Sequence, residues 1–427
     1  MSEPAWVFCG AQRLPVPRAA AFEPPATVTP PASLDAAVGA ALAAPLDAPR
    51  LRELARGARS VVVTIPDASR PCPSEPVLTA LLDELRAAGI PDDGVAVAVG
   101  CGLHATTGAE ERELLAGSSV SGRVDVFDAQ GIESEIADLG ETRLGAPVRI
   151  VRRVAEADLA VTVGVVEPHL YAGFSGGVKG VAIGCAGRET IAWTHRPAFI
   201  SAPGVTLCRL RGNAFQATLR DIAARTPLRW GVNLTMAAGG AAALVRAGDP
   251  AAVQEALAGE LADTSLRDVG EYFDAVVTGV HVPKSDNLYQ ASRAATYVGL
   301  AARPAVAEGG LIVLCAELPD GAGEGPGERN FLRVLAATAS PAALLERALH
   351  EPLGPGGQRS FVVARVLERF RLAVVGAADP AFLGPLEHLG VAAFGSVDAA
   401  LAAEDARLGR RARVLAVADG IGTVVHA

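Results

Sequence analysis

The chain has 427 residues, half of them apolar and a fifth charged, with a net charge of −9. Such a length calls for two or three domains, and the composition is that of a globular protein rather than a disordered one. The acidic balance and the absence of any Lys/Arg-rich run argue against nucleic acid or an anionic membrane as a general partner.

The N-terminus has no basic segment followed by an apolar one, and no uninterrupted apolar run reaches the roughly 18 residues of a spanning helix. The six cysteines (Cys9, Cys72, Cys101, Cys185, Cys208 and Cys315) are scattered without a C-x-x-C pair. Neither a membrane span, a disulfide framework nor a structural zinc site is expected, and the cytoplasm is the expected location. Residues 1–50 are rich in Pro and Ala with little period, and are expected to wrap the surface of a first domain.

From residue 60 the pattern sharpens. Residues 60–65 (SVVVTI) form a β-branched run ending at Pro66-Asp67. Residues 74–88 have apolar positions at helical spacing and stop at Gly89. Residues 95–99 are a second short strand, followed by Gly100-Cys101-Gly102. A helix is expected over 107–115 and a buried strand over 159–166 (LAVTVGVV). A helix over 251–262 closes the first series. A second series begins at 273–280 (FDAVVTGV), with a helix over 288–301 and strands over 311–315, 371–375 and 414–418. The Gly/Pro-rich segment 319–328 is expected as a long loop. This alternation predicts two α/β domains with largely parallel sheets, 1–267 and 268–427, and an active site in the cleft between them.

In open α/β sheets, ligands bind beyond the carboxyl ends of strands. Three strands of the first domain end in chemically interesting residues: Asp67 to Arg70, His104, and Glu167 to His169. His104 sits in GCGLHATTG, where glycines permit a tight turn and the threonines are candidates to cap the next helix. An imidazole there serves as a general base near neutral pH or, more plainly, as a loop cap. His169 precedes the segment from Tyr171 to Gly180. Its glycines, Gly176 and Gly177 among them, can turn backbone N–H groups toward a phosphate, and Lys179 adds charge or a nucleophilic amine. The spacing is not that of a P-loop. His195 ends a short helical pattern, where a histidine has a routine electrostatic explanation. Arg70 suits a carboxylate, and Asp67 suits either a ribose hydroxyl or the orientation of Arg70. After the strand at 273–280, Asp286 or Asn287 is a candidate helix cap. Gln290 and Arg293, three apart, share a helix face that could reach an anionic ligand across the cleft.

Taken together, IPDASRP, GCGLHATTGAEE, GVVEPHLYAGFSGGVKG, the ETIAWTHRP region and PKSDNLYQA resemble the lactate racemase LarA family. The intervals of 65 residues from His104 to His169, 10 to Lys179 and 16 to His195 belong to that resemblance. It covers both expected domains. It implies a racemase or epimerase of a 2-hydroxy acid that carries a nickel–pincer nucleotide, made and loaded by dedicated biosynthesis proteins. Lys179 would tether the nucleotide covalently and His195 would be the protein ligand to nickel. His104 and His169 would be paired acid/bases. Asp67, Ser69 and Arg70 would lie near the nucleotide and the substrate carboxylate, and Gln290 and Arg293 would close the site. Val178 stands where the family often has Arg, Arg293 where it has Lys, and Ala68 where a polar residue is usual; these leave the particular acid open. Two other readings compete: a hydrolase using zinc bound by the three histidines, and a non-catalytic carrier of the nucleotide, which would need the tether but not the histidine pair.

Overall fold

The computed structural model describes residues 5–19, 28–132, 134–237 and 240–427. They divide into two compact units, one of Thr27–His195 with Phe199–Ala262, the other of Met1–Ala26, Arg196–Ala198 and Asp263–Ala427.

The first unit is built on a six-stranded sheet in the order Ala242–Gly248, Leu228–Met236, Leu159–Val165, Val61–Pro66, Val95–Gly102 and Asp125–Gln130. All neighbours are parallel except the first pair. The three central strands are buried along nearly their whole length, which is why they read as apolar runs instead of alternating ones: both faces are covered. On one face the helices Leu34–Ala43, Leu51–Leu54 and Ser74–Ala87 press Val38, Leu51, Leu78 and Leu81 against Val61, Val63 and Val97. On the other, Thr64 and Thr162 from adjacent strands share a buried hydrogen bond of 3.1 Å. The turn beginning at Lys179 lies directly over them, because a Cβ at Gly180 would stand 2.4 Å from Thr162 Oγ1.

The second unit has a five-stranded, wholly parallel sheet in the order Val391–Phe394, Arg371–Val375, Val306–Cys315, Phe273–Gly279 and Val414–Val417. Both units are therefore α/β with largely parallel sheets. Asn287 caps the helix Leu288–Gly299, accepting from Gln290 N–H at 3.0 Å.

Three expectations need correction. Trp6–Cys9 and Gln12–Pro15 form a hairpin that belongs to the second unit, not the first. Val7, Cys9 and Val16 join its core beside Ala275 and Val277. Phe8 N–H donates to Ala418 O at 3.0 Å, and Gly279 has no side chain to obstruct the Phe8 carbonyl. Of the rest of 1–50, residues 1–4 and 20–27 lie outside the described residues; the helix Leu34–Ala43 packs on the first unit. Thr107 does not cap the following helix, Ala109–Ala116, whose N-cap is Gly108; its hydroxyl donates to Asp128 Oδ1 at 2.6 Å instead. The segment 319–328 is not wholly loop: Pro326–Ala336 is helical, and Glu328 accepts from Gly325 N–H at 2.8 Å, satisfying a donor at the helix start. No helix among the described residues is long and apolar enough to cross a membrane.

Candidate active site

Val61–Pro66 pairs with Val95–Gly102 on one side and Leu159–Val165 on the other, with Pro66 opposite Gly100 and Thr64 opposite Thr162. The loops leaving these three strands thus open at the same edge of the sheet, and they carry Asp67 to Arg70, His104, and Glu167 to Lys179.

Asp67 organises the first part. Its Oδ2 lies 2.6 Å from His104 Nδ1, and its Oδ1 accepts from Ser69 Oγ at 2.6 Å and Ser69 N–H at 3.2 Å. The His104 side chain is 61% exposed while that of Asp67 is 14% exposed. The hydrogen bond to Asp67 raises the His104 pKa above its ordinary value; desolvation and the charges of Arg70 and Lys179 work against that shift. Desolvation acts to raise the Asp67 pKa, but the His104 and Ser69 bonds and the Arg70 charge hold it below the usual carboxylate range. A carboxylate facing Nδ1 assigns the ring's proton to that nitrogen, which leaves Nε2 as the basic atom. Arg70 does not pair with Asp67, as one reading of the sequence had it; it forms an ion pair with Glu167.

His169 has the opposite arrangement. It sits on a short ribbon, Pro168–His169 against Gly173–Phe174, and its Nδ1 accepts from the backbone N–H groups of Tyr171 and Ala172, each at 3.2 Å. A ring whose Nδ1 accepts carries its proton on Nε2 when neutral. His104 is thereby set as a base and His169 as a donor.

The glycine-rich loop is held from inside. Gly176 and Gly177 have φ of 73° and 56°, the left-handed region that favours glycine. Gly177 N–H donates to Asn233 Oδ1 at 2.5 Å. Gln254 Nε2 donates to the carbonyls of Ser175 at 3.0 Å and Phe174 at 3.2 Å, and its own oxygen accepts from Gln216 Nε2 at 2.6 Å. Asn233, Gln254 and Gln216 are all buried. None of them was singled out from the sequence, yet each was visible there as a polar residue inside an otherwise apolar strand or helix. Replacing Asn233 by Ala strands the Gly177 donor in a dry interior and is expected to cost roughly 1–3 kcal/mol of stability. Chemical denaturation of the wild type and variant measures it.

Lys179 opens the short helix Lys179–Ala182, and its charge lowers the pKa of both His104 and His195. His195 follows the helix Arg188–Thr194. Its Nδ1 donates to Ile191 O at 3.0 Å, and it lies edge-on to Tyr171 and Phe215 at 5.7 and 5.4 Å. Desolvation first, then the Lys179 charge, pulls its pKa down to about 4. A charge interaction with the helix end therefore does not explain this residue: it is a neutral imidazole with Nε2 bare, the form in which histidine binds a metal.

Among the described residues no three His, Cys, Asp or Glu side chains converge as a metal site. The three histidines are therefore not gathered as the zinc hydrolase reading would have them. This leaves room for a metal whose other donors come from a bound cofactor, and two side chains suit the nickel–pincer nucleotide: a bare imidazole at His195 and an amine for the tether at Lys179. Gln290 and Arg293 belong to the other unit, on Leu288–Gly299; Arg293 is buried, 6% exposed, and donates to Tyr297 Oη at 3.2 Å. It is not part of a solvated first turn.

A carboxylate-backed imidazole, a second imidazole of opposite polarity and a lysine at one sheet edge are the equipment of an enzyme that moves protons. Family models described as the lactate racemase N-terminal domain and the lactate racemase C-terminal domain match residues 11–206 and 273–425. The lactate racemase of Lactiplantibacillus plantarum is 28% identical over 386 residues, 89% of this chain and 88% of that protein. The lactate racemase of Thermoanaerobacterium thermosaccharolyticum is 26% identical over 404 residues, 90% of this chain and 89% of that one. Among solved structures, the lactate racemase apoprotein from Thermoanaerobacterium thermosaccharolyticum matches with a TM-score of 0.88 at 23% identity, covering 99% of this chain and 100% of that chain. A Thermotoga maritima protein matches with a TM-score of 0.66 at 15% identity, covering 92% and 97%. The class so defined is an isomerase. The chain belongs to the lactate racemase family.

Proposed function

We propose that the chain racemises lactate or epimerises a larger 2-hydroxy acid, using a nickel–pincer nucleotide tethered to Lys179 and ligated through His195. The observation that carries this reading is the 2.6 Å contact between Asp67 and His104 beside a lysine whose charge acts on both His104 and His195. When bound, the cofactor supplies a reversible acceptor for the substrate's α-hydrogen as hydride.

The protein's own part is proton handling. His104 Nε2 takes the substrate hydroxyl proton as the α-hydrogen leaves, and Asp67 stabilises the imidazolium that results. Loss of both hydrogens leaves a planar 2-keto acid, which can be reduced from either face. As the keto acid is reduced, the proton held by the His104 imidazolium goes back to the substrate oxygen, which the His169 Nε2–H hydrogen-bonds from its own side. Arg70 is assigned to the substrate carboxylate. Ser69 holds Asp67 in place; because Gly177 N–H is taken by Asn233, Gly176 and Gly177 shape the turn that leads to Lys179 and are not, as the sequence suggested, donors to a nucleotide phosphate. The histidine pair argues against a mere carrier, which needs a tether but no acid/base groups.

The test uses protein loaded by co-expression with the cofactor-biosynthesis enzymes and α-deuterated lactate in ordinary water. Hydride transfer predicts racemisation with the deuterium kept on carbon. Loss of the label to solvent would point to carbanion chemistry and overturn the mechanism. Failure to isomerise any member of a 2-hydroxy acid panel would overturn the function.

A further inference from the structure

Asp67 fixes the ring of His104, but a ring is no better placed than the main chain that carries it. The His104 side chain is largely exposed, so its position depends on the segment between Gly100 and Thr107. That segment leaves the strand Val95–Gly102 through Gly102, whose φ is 57°. Several of its anchors come from the end of one neighbour, the edge strand Asp125–Gln130, where Gln130 stands opposite Gly102. Gln130 is buried. Its Nε2 donates to the His104 carbonyl at 3.0 Å, and its Oε1 accepts from Ile132 N–H at 2.6 Å. A backbone N–H facing one end of the amide settles which end is oxygen, so the nitrogen faces His104. Two residues earlier, Asp128 accepts from Thr107 N–H at 3.1 Å and from Arg112 Nη1 at 2.9 Å. One residue later, Gly131 N–H donates to Gly102 O at 2.7 Å. The Gly131 carbonyl accepts at 3.2 Å from the N–H of Arg188, the first residue of the helix that leads to His195. A Cβ on Gly131 would stand 2.1 Å from Ala186 O, so this backbone is closely fitted on both sides. Burying an amide costs stability unless both its ends are paired. Here both are, and one of them holds the residue that the proton chemistry uses.

We propose that Gln130 is a positioning residue for His104: its amide holds the His104 main chain where the imidazole meets Asp67, and so keeps the ring's proton on Nδ1 and its basic Nε2 free for substrate. Gln130 touches neither substrate nor cofactor and acts only through His104. The consequence for turnover rests on the racemase reading; the geometry does not, since it belongs to the chain without cofactor.

The test reads histidine tautomers by nitrogen NMR of the full cofactor-free chain, at a pH where the rings are neutral, in wild type, Q130M and Q130E. Methionine fills the space without a polar group. Glutamate keeps the shape and the acceptor for Ile132 N–H but has no proton to give His104. In both variants the ratio of Nδ1–H to Nε2–H forms of His104 should fall about tenfold, the weight of one hydrogen bond. His169, whose tautomer is set by Tyr171 and Ala172 N–H, should stay as in the wild type. Loaded Q130M should lose about 10²-fold in kcat, as for a displacement on the order of 1 Å, with a smaller change in KM. An unchanged His104 tautomer in Q130M overturns the proposal. So does a Q130E protein that matches the wild type, since shape and not the donor would then be at work. Loss of the His169 signature together with that of His104 overturns it too, because that marks a general loosening of the fold. A His104 shift alone supports it even if the loaded wild type turns nothing over, a result that would overturn the racemase reading instead.

Discussion

Replacement of Lys179 by arginine is expected to abolish turnover, by about 10⁴-fold or more, while leaving the fold intact. Arginine keeps a positive charge beside His104 and His195, so simple electrostatic tuning would survive the change. A covalent tether would not, because the guanidinium is no substitute for a nucleophilic amine. The measurement is the intact mass of protein co-expressed with the cofactor-biosynthesis enzymes. The wild type should gain mass at the peptide containing Lys179, and K179R should gain none. A loaded K179R protein would sink the tether assignment. A second readout needs no cofactor. The Lys179 charge lowers the His104 pKa, so K179A, unlike K179R, should move the His104 titration upward in NMR of the cofactor-free chain.

The proposed tether has support in the sequence beyond the resemblance. Of the chain's 38 basic residues only two are lysines, Lys179 and Lys284. In a composition that otherwise takes arginine wherever it wants a cation, a lysine signals a need for the amine itself. The strands that position it were also legible: a run such as Val61–Pro66 is apolar on both faces because both are covered, and its shortness and β-branched residues mark it as a strand. Asp125–Gln130 was not legible, since an edge strand with exposed or half-buried polar positions has no such run. The N-terminal hairpin was misassigned for a different reason. Its anchor, Ala418, is some four hundred residues away, and local pattern carries no information about so distant a partner. The same limit applied inside the site. That His104, His169 and His195 are candidates came from their places in the family resemblance, since each alone had a plain structural explanation. That Asp67 faces His104 across 37 residues and Arg70 meets Glu167 across 97 could not. The first of those pairings decides which nitrogen of His104 is the working one.

The consequence of the Asp67 pairing is the second large effect. Asp67→Asn is expected to lower kcat/KM by about 10²–10⁴-fold, as when the carboxylate behind a catalytic imidazole is neutralised. Two signatures distinguish this from loss of structure. The base form of His104 must be neutral, so its pKa sets the acidic limb of the kcat/KM profile, and Asp67 raises that pKa. Removing the carboxylate should shift the limb to lower pH, whereas a merely unfolded fraction would scale the profile without moving it. The second signature comes from the equilibrium. For a true racemase the two enantiomers are equal in free energy, so kcat/KM must fall by the same factor in both directions whatever the variant does. Only kcat and KM taken separately can become unequal. His104 and His169 hold their protons on opposite nitrogens, so the substitution removes support from one partner alone. Asp67→Asn should therefore change kcat in one direction more than in the other, with a compensating change in KM. Equal kcat losses in both directions, with an unmoved acidic limb, would show that Asp67 does not act through His104.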